Sequence, residues 1–468
     1  MLKSLPTILG MESHFPRQNL ATAPQTARNF IAWILIAFCV SLGSARAEAP
    51  PHIVFILADD LGPGDLGCYG GAIAVTPNID RLAREGTRFT RYYSAAPICS
   101  PSRCGLITGN FPARWNVTSF MQTRAGNREC EQVDFLDPKA PSLPRLLKAA
   151  GYATAHIGKW HLGGGRDVTD APKFAAYGYD EGVGTYESPE PHPDITAKNW
   201  IWSPQDKVKR WNRTAFFVDK TLDFLARHPT KPCFVNLWLD DPHTPWVPAE
   251  QAGEGDTQEK LKAVMEENDK QIGRLMDALP VNTLLIFASD NGPLPTLGKQ
   301  RPLGLRGSKL SLYEGGIRLP FIARWPDRVP AGRVDETSVI AAVDMLPTLC
   351  AIAGAGLPDD YAGDGADVSK ALRGSSLART KALLWEYGRN DKSFKFPGPR
   401  NRSSNVAMLE GHWKLLVNAD GTGVELYDVF ADPNETKNVA GEQPEPAARM
   451  KAAALAWRST LPALTISK

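Results

Sequence analysis

Short unbroken apolar runs recur along the chain, and most of them close on a polar cluster. Residues 52–58 (HIVFILA) run into Asp59-Asp60, residues 233–239 (CFVNLWL) into Asp240-Asp241, and residues 283–288 (TLLIFA) into Ser289-Asp290-Asn291-Gly292. Runs of this length, rich in β-branched and aromatic residues, predict strands buried on both faces. Two more are expected at 153–157 and 321–325. Between them lie helical stretches: 76–85, opened by Thr76 and Pro77; a helix starting near Cys99; 142–150, stopped by Gly151; 215–228; 258–279, with one polar face; and 341–354. Strands alternating with helices predict an α/β fold, with a large, mixed, mostly parallel sheet sandwiched by helices. After a Gly/Asp-rich stretch at 358–374 the pattern changes to four short β-like runs (382–387, 405–409, 413–417 and 424–427) and a closing helix over 444–459. These predict a smaller C-terminal antiparallel sheet plus one helix. The expected units are 48–374 and 375–468.

Composition alters little. The chain has 468 residues, 43% hydrophobic and 22% charged, as a globular protein does. Its net charge of +2 gives no argument for nucleic acid or another polyanion as partner. The N-terminus alters more. An apolar run over 30–43 follows Arg17 and Arg28 and precedes Ala45-Arg46-Ala47. This reads as a secretory signal peptide over 1–47, and so as export to the periplasm or medium without membrane attachment after cleavage. An uncleaved anchor is the alternative. Six cysteines remain beyond it, too few for a disulfide scaffold at this length and without the C-x-x-C spacing of a zinc site.

In open α/β sheets ligands bind at the carboxyl ends of the strands, so the polar clusters there are the candidate chemistry. Asp59 and Asp60 repel each other unless something cationic lies between them; a hard divalent cation and a turn cap explain the pair equally well. Asp290 and Asn291 offer two more hard oxygens at a third strand end, with capping as the alternative. Cys99-Ser100-Pro101-Ser102-Arg103 reads as a helix start, with Cys99 about at the N-cap, Pro101 in the first turn and Arg103 returning to the same face. A tetrahedral oxyanion, sulfate or phosphate, fits such a point. A structural cysteine beside a surface arginine is the bland reading. Lys159 and His161 share a face if their strand runs on, and together can bind an anion and move a proton. His243 sits just past a strand end among prolines, and Lys309 by itself is a solvated lysine. The loop-rich 174–213 stretch carries Tyr177, Tyr179, Tyr186, Trp200, Trp202 and Trp211 with Lys198, Lys207, Lys209 and Arg210. It is either a substrate-contacting insertion or satellite packing.

The run from Cys99 through Leu106 and Thr108-Gly109 resembles the C-x-P-S-R…L-x-T-G signature of the sulfatase family. Gly151-Tyr152-Ala153-Thr154 with Gly158-Lys159-Trp160-His161-Leu162-Gly163 resembles its second signature. Ser289-Asp290-Asn291-Gly292, Tyr313-Glu314-Gly315-Gly316 and Glu425-Leu426-Tyr427-Asp428 extend the likeness over most of the chain after Pro51. The resemblance implies an alkaline phosphatase-like fold and sulfuric ester hydrolysis. It implies that a maturing enzyme converts Cys99 to formylglycine. It implies one divalent cation on Asp59, Asp60, Asp290, Asn291 and residue 99; so many protein oxygens favour Ca²⁺, with Mg²⁺ as the alternative. Arg103 would orient the nucleophile, Lys159 and Lys309 would bind sulfate, His161 would act on the formylglycine hydroxyl, and His243 would face the leaving group. The expected substrate is a sulfated small molecule or glycan. A phosphomonoester or phosphodiester hydrolase of the same superfamily and a non-catalytic sulfated-glycan binder are the rivals.

Overall fold

β1 (His52–Ala58) is apolar at every position after His52 because both of its faces are covered. Ile53, Phe55 and Leu57 enter one hydrophobic core, while Val54, Ile56 and Ala58 enter another on the opposite side of the sheet. In chain order the remaining elements of the large sheet and its layers are α1 (Pro77–Glu85), β2 (Thr87–Tyr93), α2 (Cys99–Thr108), α3 (Leu143–Ala149), β3 (Ala153–Gly158), β4 (Glu181–Gly184), α4 (Arg213–Arg227), β5 (Cys233–Trp238), α5 (Gln258–Ala278), β6 (Thr283–Ser289), β7 (Arg318–Arg324), β8 (Arg333–Asp335), β9 (Ile340–Ala341) and α6 (Met345–Ala353). This computed structural model describes residues 49–195, 205–250, 255–394 and 401–463. The expected signal segment and Lys198, Trp200 and Trp202 lie outside these residues.

The sheet order is β4-β3-β5-β1-β6-β7-β2-β8, with β9 also paired to β2. From β4 to β6 every pairing is parallel; β7 alone runs against both its neighbours. Four adjacent strands, β3, β5, β1 and β6, therefore present their carboxyl ends along one edge. The sheet is mixed and mostly parallel, as the sequence pattern predicts.

The second sheet, β10 (Leu383–Glu386), β11 (Val406–Glu410), β12 (Trp413–Val417) and β13 (Glu425–Asp428), is antiparallel throughout. α7 (Pro444–Ser459) covers one face, packing Ala447, Met450 and Ala454 on Val406, Met408, Leu415 and Val417. The other face sends Ala407, Leu409, Leu416 and Tyr427 into the core of the large sheet.

Several local expectations need correction. β2 is absent from the sequence reading because its TRFTRYY pattern is mostly polar and a register shift between Phe89 and Tyr92 breaks the alternation. α6 begins at Met345 rather than 341, since Ala341–Asp344 is taken up by β9 and a 3-10 turn. Tyr177 and Tyr179 do not reach toward a substrate. Both are buried, in an aromatic cluster with Trp160, Phe174 and Trp238 around His156.

His156 lies fully buried with neither ring nitrogen hydrogen-bonded among the described residues. Burial, and then the nearby Arg103 guanidinium, depress its pKa from 6.5 to about 3. The unfolded imidazole takes up a proton below about pH 6.5 and the folded one does not. Its contribution to stability is therefore complete above that pH and is lost as pH falls toward 3. In His156→Phe, which keeps a flat ring in the cluster, the fall in unfolding midpoint between pH 7 and pH 5 is expected to be smaller than in the parent, as read by thermal denaturation.

Candidate active site

The parallel strand ends deliver the functional side chains in a row. β1 ends at Ala58 and is followed by Asp59 and Asp60; β6 ends at Ser289, followed by Asp290 and Asn291; β3 leads into Lys159, and β5 into Asp240, Asp241 and His243. All of these except His243 are buried. Asp60 takes φ +63°, a conformation that costs a non-glycine residue about 1 kcal/mol or more, and this turns the chain sharply after the strand. α2 brings Cys99 to the same point. Cys99 is its first helical residue, with Ile98 as N-cap, one position from the expected register.

The thiol lies at the centre of the cluster. Cys99 Sγ is 3.4 Å from Asp59 Oδ1, 3.6 Å from Lys159 Nζ and 3.5 Å from Lys309 Nζ. Lys159 Nζ also contacts Asp59 Oδ2 at 2.5 Å, and Lys309 Nζ contacts both Asp60 oxygens, at 2.6 and 2.8 Å. Arg103 donates from Nε and Nη2 to Asp290 Oδ2 at 2.9 and 2.7 Å, and from Nη1 to the Lys159 carbonyl at 2.8 Å. The Asp60 amide donates to Asp290 Oδ1, and Asn291 Nδ2 donates to Asp60 Oδ1 at 2.6 Å. Every residue expected to hold a cation is therefore in one cluster. His243 joins it: Asp59, Asp60, Cys99 and His243 each offer a ligand atom within 4.8 Å of the others.

Charge explains these contacts. Three buried carboxylates, Asp59, Asp60 and Asp290, face three cationic side chains, Arg103, Lys159 and Lys309. Burial works against ionisation of Asp59, but Lys159 foremost holds it well below the usual carboxylate range. Asp290 goes the other way: burial, and then the charge on Asp59, push it up despite Arg103. Asn291 Oδ1 is buried without a hydrogen-bond partner among the described residues. Crowded hard oxygens, one carboxylate pushed toward neutrality and an orphaned amide oxygen fit a divalent cation.

The two histidines are held neutral. His161 Nε2 is 3.0 Å from the Met121 carbonyl and so carries the hydrogen, which leaves Nδ1 buried and free among the described residues. Burial, and then Lys159, lower its pKa to about 3 against the pull of Glu187. His243 donates from Nδ1 to the Thr244 carbonyl at 2.6 Å, and Nε2 lies 3.7 Å from Asp60 Oδ2. Burial, and then Lys309, lower it to about 4. His161 does not share a strand face with Lys159, because β3 ends at Gly158 and His161 takes φ +56°. A turn, not strand alternation, puts both in the same cavity. That cavity, about 310 Å³, is lined by Cys99, Lys159, His161, Lys309 and His243 together with Phe120, Arg166, Glu187 and Leu294.

For other parts of the site the sequence did not show the partners. Arg210 is not a surface sulfate ligand. It is buried against Asp240 and Asp241 at 2.6 Å, beside the Arg213–Asp240 pair at 2.7 Å, and it also donates to the His243 carbonyl. Ion pairs so far apart in sequence have no spacing to betray them. The loop bearing Lys309 is gripped by the small sheet. Arg306 Nη1 reaches Tyr427 OH at 2.7 Å, Tyr313 OH reaches Glu425 Oε2 at 2.9 Å, the Leu312 amide reaches Ser403 Oγ at 2.9 Å and the Glu314 amide reaches Glu435 Oε2 at 2.7 Å. Lys414, fully buried, bridges Glu314 and Glu435 at 2.9 and 3.1 Å.

The family model for sulfatases matches residues 51–355. The chain belongs to the sulfatase family. A second model, the C-terminal region of N-sulphoglucosamine sulphohydrolase, matches 308–454. Among relatives of this sulfatase, the N-acetylgalactosamine-6-O-sulfatase of Bacteroides thetaiotaomicron is 30% identical over 87% of this chain and 93% of its own. The human N-acetylgalactosamine-6-sulfatase is 32% identical over 84% and 82%. A solved structure from work on glycosaminoglycan metabolism by Bacteroides thetaiotaomicron superimposes with a TM-score of 0.70 at 26% identity, covering 88% of this chain and all of that one. The protein is accordingly a sulfuric ester hydrolase with an alkaline phosphatase-like fold.

Removing one partner of a buried ion pair leaves the other charge stranded. Arg103→Ala should cost about 3–5 kcal/mol in denaturant unfolding. Adding Asp290→Asn to that variant should recover part of the loss, because the stranded carboxylate is then gone.

Proposed function

We propose that this sulfatase removes sulfate from a sulfated carbohydrate outside the cytoplasm, with Cys99 matured to formylglycine and one divalent cation, Ca²⁺, as cofactor. The observation that carries the reading is the position of Cys99, boxed at 3.4–3.6 Å by a carboxylate and two lysines on the floor of a cavity. Burial, and then Asp59, push its thiol pKa up, so the unmodified side chain is not a thiolate nucleophile. An aldehyde hydrate at this position supplies one hydroxyl to attack sulfur and a second through which sulfate is released; a cation on Asp59, Asp60, Asp290 and Asn291 supplies charge that polarises the ester.

The chain's own side chains do the rest. Arg103 fixes Asp290 and the Lys159 carbonyl, and so the rim on which the nucleophile turns. Lys159 and Lys309 aim ammonium groups at the sulfate oxygens, a role the Asp60 carboxylate supports by keeping Lys309 protonated despite its burial. His243 and Lys309 face the departing sugar oxygen: the charged Lys309 ammonium supplies its proton, and His243 Nε2, which carries no hydrogen while Nδ1 donates to Thr244, stands as an acceptor beside it. His161 takes a proton at Nδ1, the nitrogen left free by its bond to Met121. Charge favours a sulfate ester over a phosphate monoester. The three carboxylates and three cationic chains cancel, so a divalent cation leaves two positive charges. A monoanionic sulfate ester and a hydroxyl losing its proton match these; a phosphate monoester dianion overshoots by one. The names of the relatives support a carbohydrate substrate, and the 1–47 segment supports export.

Two measurements test this. The tryptic peptide over residues 92–103 from the native host is expected to be about 18 Da lighter than its cysteine form; a wholly alkylatable thiol would remove the proposed nucleophile. Ca²⁺ at about 100 times its Kd should stabilise the protein by about 3 kcal/mol in thermal unfolding, more than Mg²⁺ does, and Asn291→Ala should weaken that shift. No Ca²⁺-dependent shift in the parent would remove the cation site.

A further inference from the structure

The polar wall of the cavity holds two side chains that the chemistry does not use. Arg166 Nη2 lies 2.6 Å from Glu187 Oε1, and Glu187 Oε2 lies 3.4 Å from His161 Nε2. Both residues line the same cavity as Cys99. Glu187 is almost fully buried, while the Arg166 side chain is 24% exposed. Arg166 Nε is nevertheless out of reach of solvent and has no hydrogen-bond partner among the described residues.

The backbone that carries Arg166 is unusual. Gly163, Gly164, Gly165 and Arg166 all have positive φ, at 116°, 95°, 72° and 54°. Glycine adopts these angles freely; Arg166 does not. The glycines are also needed for space. A Cβ on Gly164 would come within 2.4 Å of the Ser188 carbonyl carbon, and one on Gly165 within 2.4 Å of the Tyr186 carbonyl oxygen. The loop is thus wound tightly onto residues 186–188, which carry Glu187. The Arg166 amide donates to Tyr186 OH at 2.8 Å, closing the same turn. A strained arginine, fixed beside its carboxylate partner with part of its side chain exposed in the wall of the cavity, calls for a ligand.

We propose, on the basis of the sulfatase reading above, that Arg166 and Glu187 form a sugar-recognition subsite that takes two neighbouring hydroxyls of a neutral, monosulfated ring. A guanidinium and a carboxylate side by side offer a donor and an acceptor at the spacing of a vicinal diol. Their charges cancel, so the subsite attracts no second anion, and a ring bearing a carboxylate or another sulfate would set that group against Glu187. The remaining wall, Phe120, Leu294 and Leu310, gives the C–H face of the ring an apolar surface. The sulfate then reaches Cys99 while the ring is gripped beside it. Specificity of this type discriminates strongly, because an unmet buried donor is costly.

The test is the selectivity of the matured enzyme for monosulfated monosaccharides, N-acetylgalactosamine 6-sulfate among them, over 4-nitrophenyl sulfate, in the parent and in Arg166→Gln. The variant is expected to lose about 10- to 100-fold in the ratio of the two kcat/KM values, mostly through KM for the sugar. N-Acetylgalactosamine 4,6-disulfate should be a poorer substrate than the 6-sulfate for the parent. An equal fall on sugar and aryl ester would overturn the subsite and make the pair a positioning device for His161. A parent that prefers no sugar over the aryl ester, or a variant with an unchanged ratio, would overturn it too. A parent that cleaves neither ester but binds both would instead overturn the sulfatase reading on which the subsite rests.

Discussion

Three carboxylates removed from water and gathered at one point are the constraint to which the rest of the molecule answers. Asp59, Asp60 and Asp290 could not share that space on any scaffold that left them uncompensated. Each has its own cation: Lys159 on Asp59, Lys309 on Asp60 and Arg103 on Asp290. The cations come from three separate parts of the chain, so the balance exists only in the folded state. The ammonium groups that hold the carboxylates also surround Cys99, so neutralising the cluster and charging the surroundings of the thiol are the same act.

The topology makes this possible. Parallel strands put their carboxyl ends on one edge, so four neighbours can each contribute a polar residue without any strand leaving the core. The antiparallel β7 then returns the chain and lets the Lys309 loop, which precedes it, lie over the same edge. Beneath His243 a further layer, Arg210 and Arg213 with Asp240 and Asp241, holds the β5 end in place. The strained turns at Asp60 and His161 show where strand geometry had to be abandoned to bring a side chain into line.

Much of this was legible in the sequence, and the reasons differ by element. β1, β5 and β6 announce themselves because burial on both faces demands unbroken apolar runs. The carboxylates stand out because they interrupt those runs abruptly. β2 was hidden by its polar residues and register shift, and the Lys159–His161 relation by a positive φ that no spacing rule expresses. For Tyr177 and Tyr179 the sequence left substrate contact and packing both open, and the structure packs them into the aromatic cluster around His156. Arg166 and Glu187 could not be singled out at all, and Arg210 was singled out only as one base of a loop: their meaning lies in partners, and pairs such as Arg210 with Asp240 form only when distant segments meet. The expectation that Asp59, Asp60, Asp290 and Asn291 hold a cation came from the family motif rather than from physics alone, since a turn cap explained the first pair equally well.

The grip of the small sheet on the Lys309 loop sets an order of events. Ser403, Glu425, Tyr427 and Glu435 are made more than ninety residues after Lys309, and Lys414 with them. A chain still emerging from the ribosome therefore lacks the contacts that fix the Lys309 loop, and with it the cation of Asp60, until those residues are made. Competence arrives last, with the carboxyl-terminal strands, and any cut that frees those strands would disarm the enzyme without touching a residue that meets the substrate.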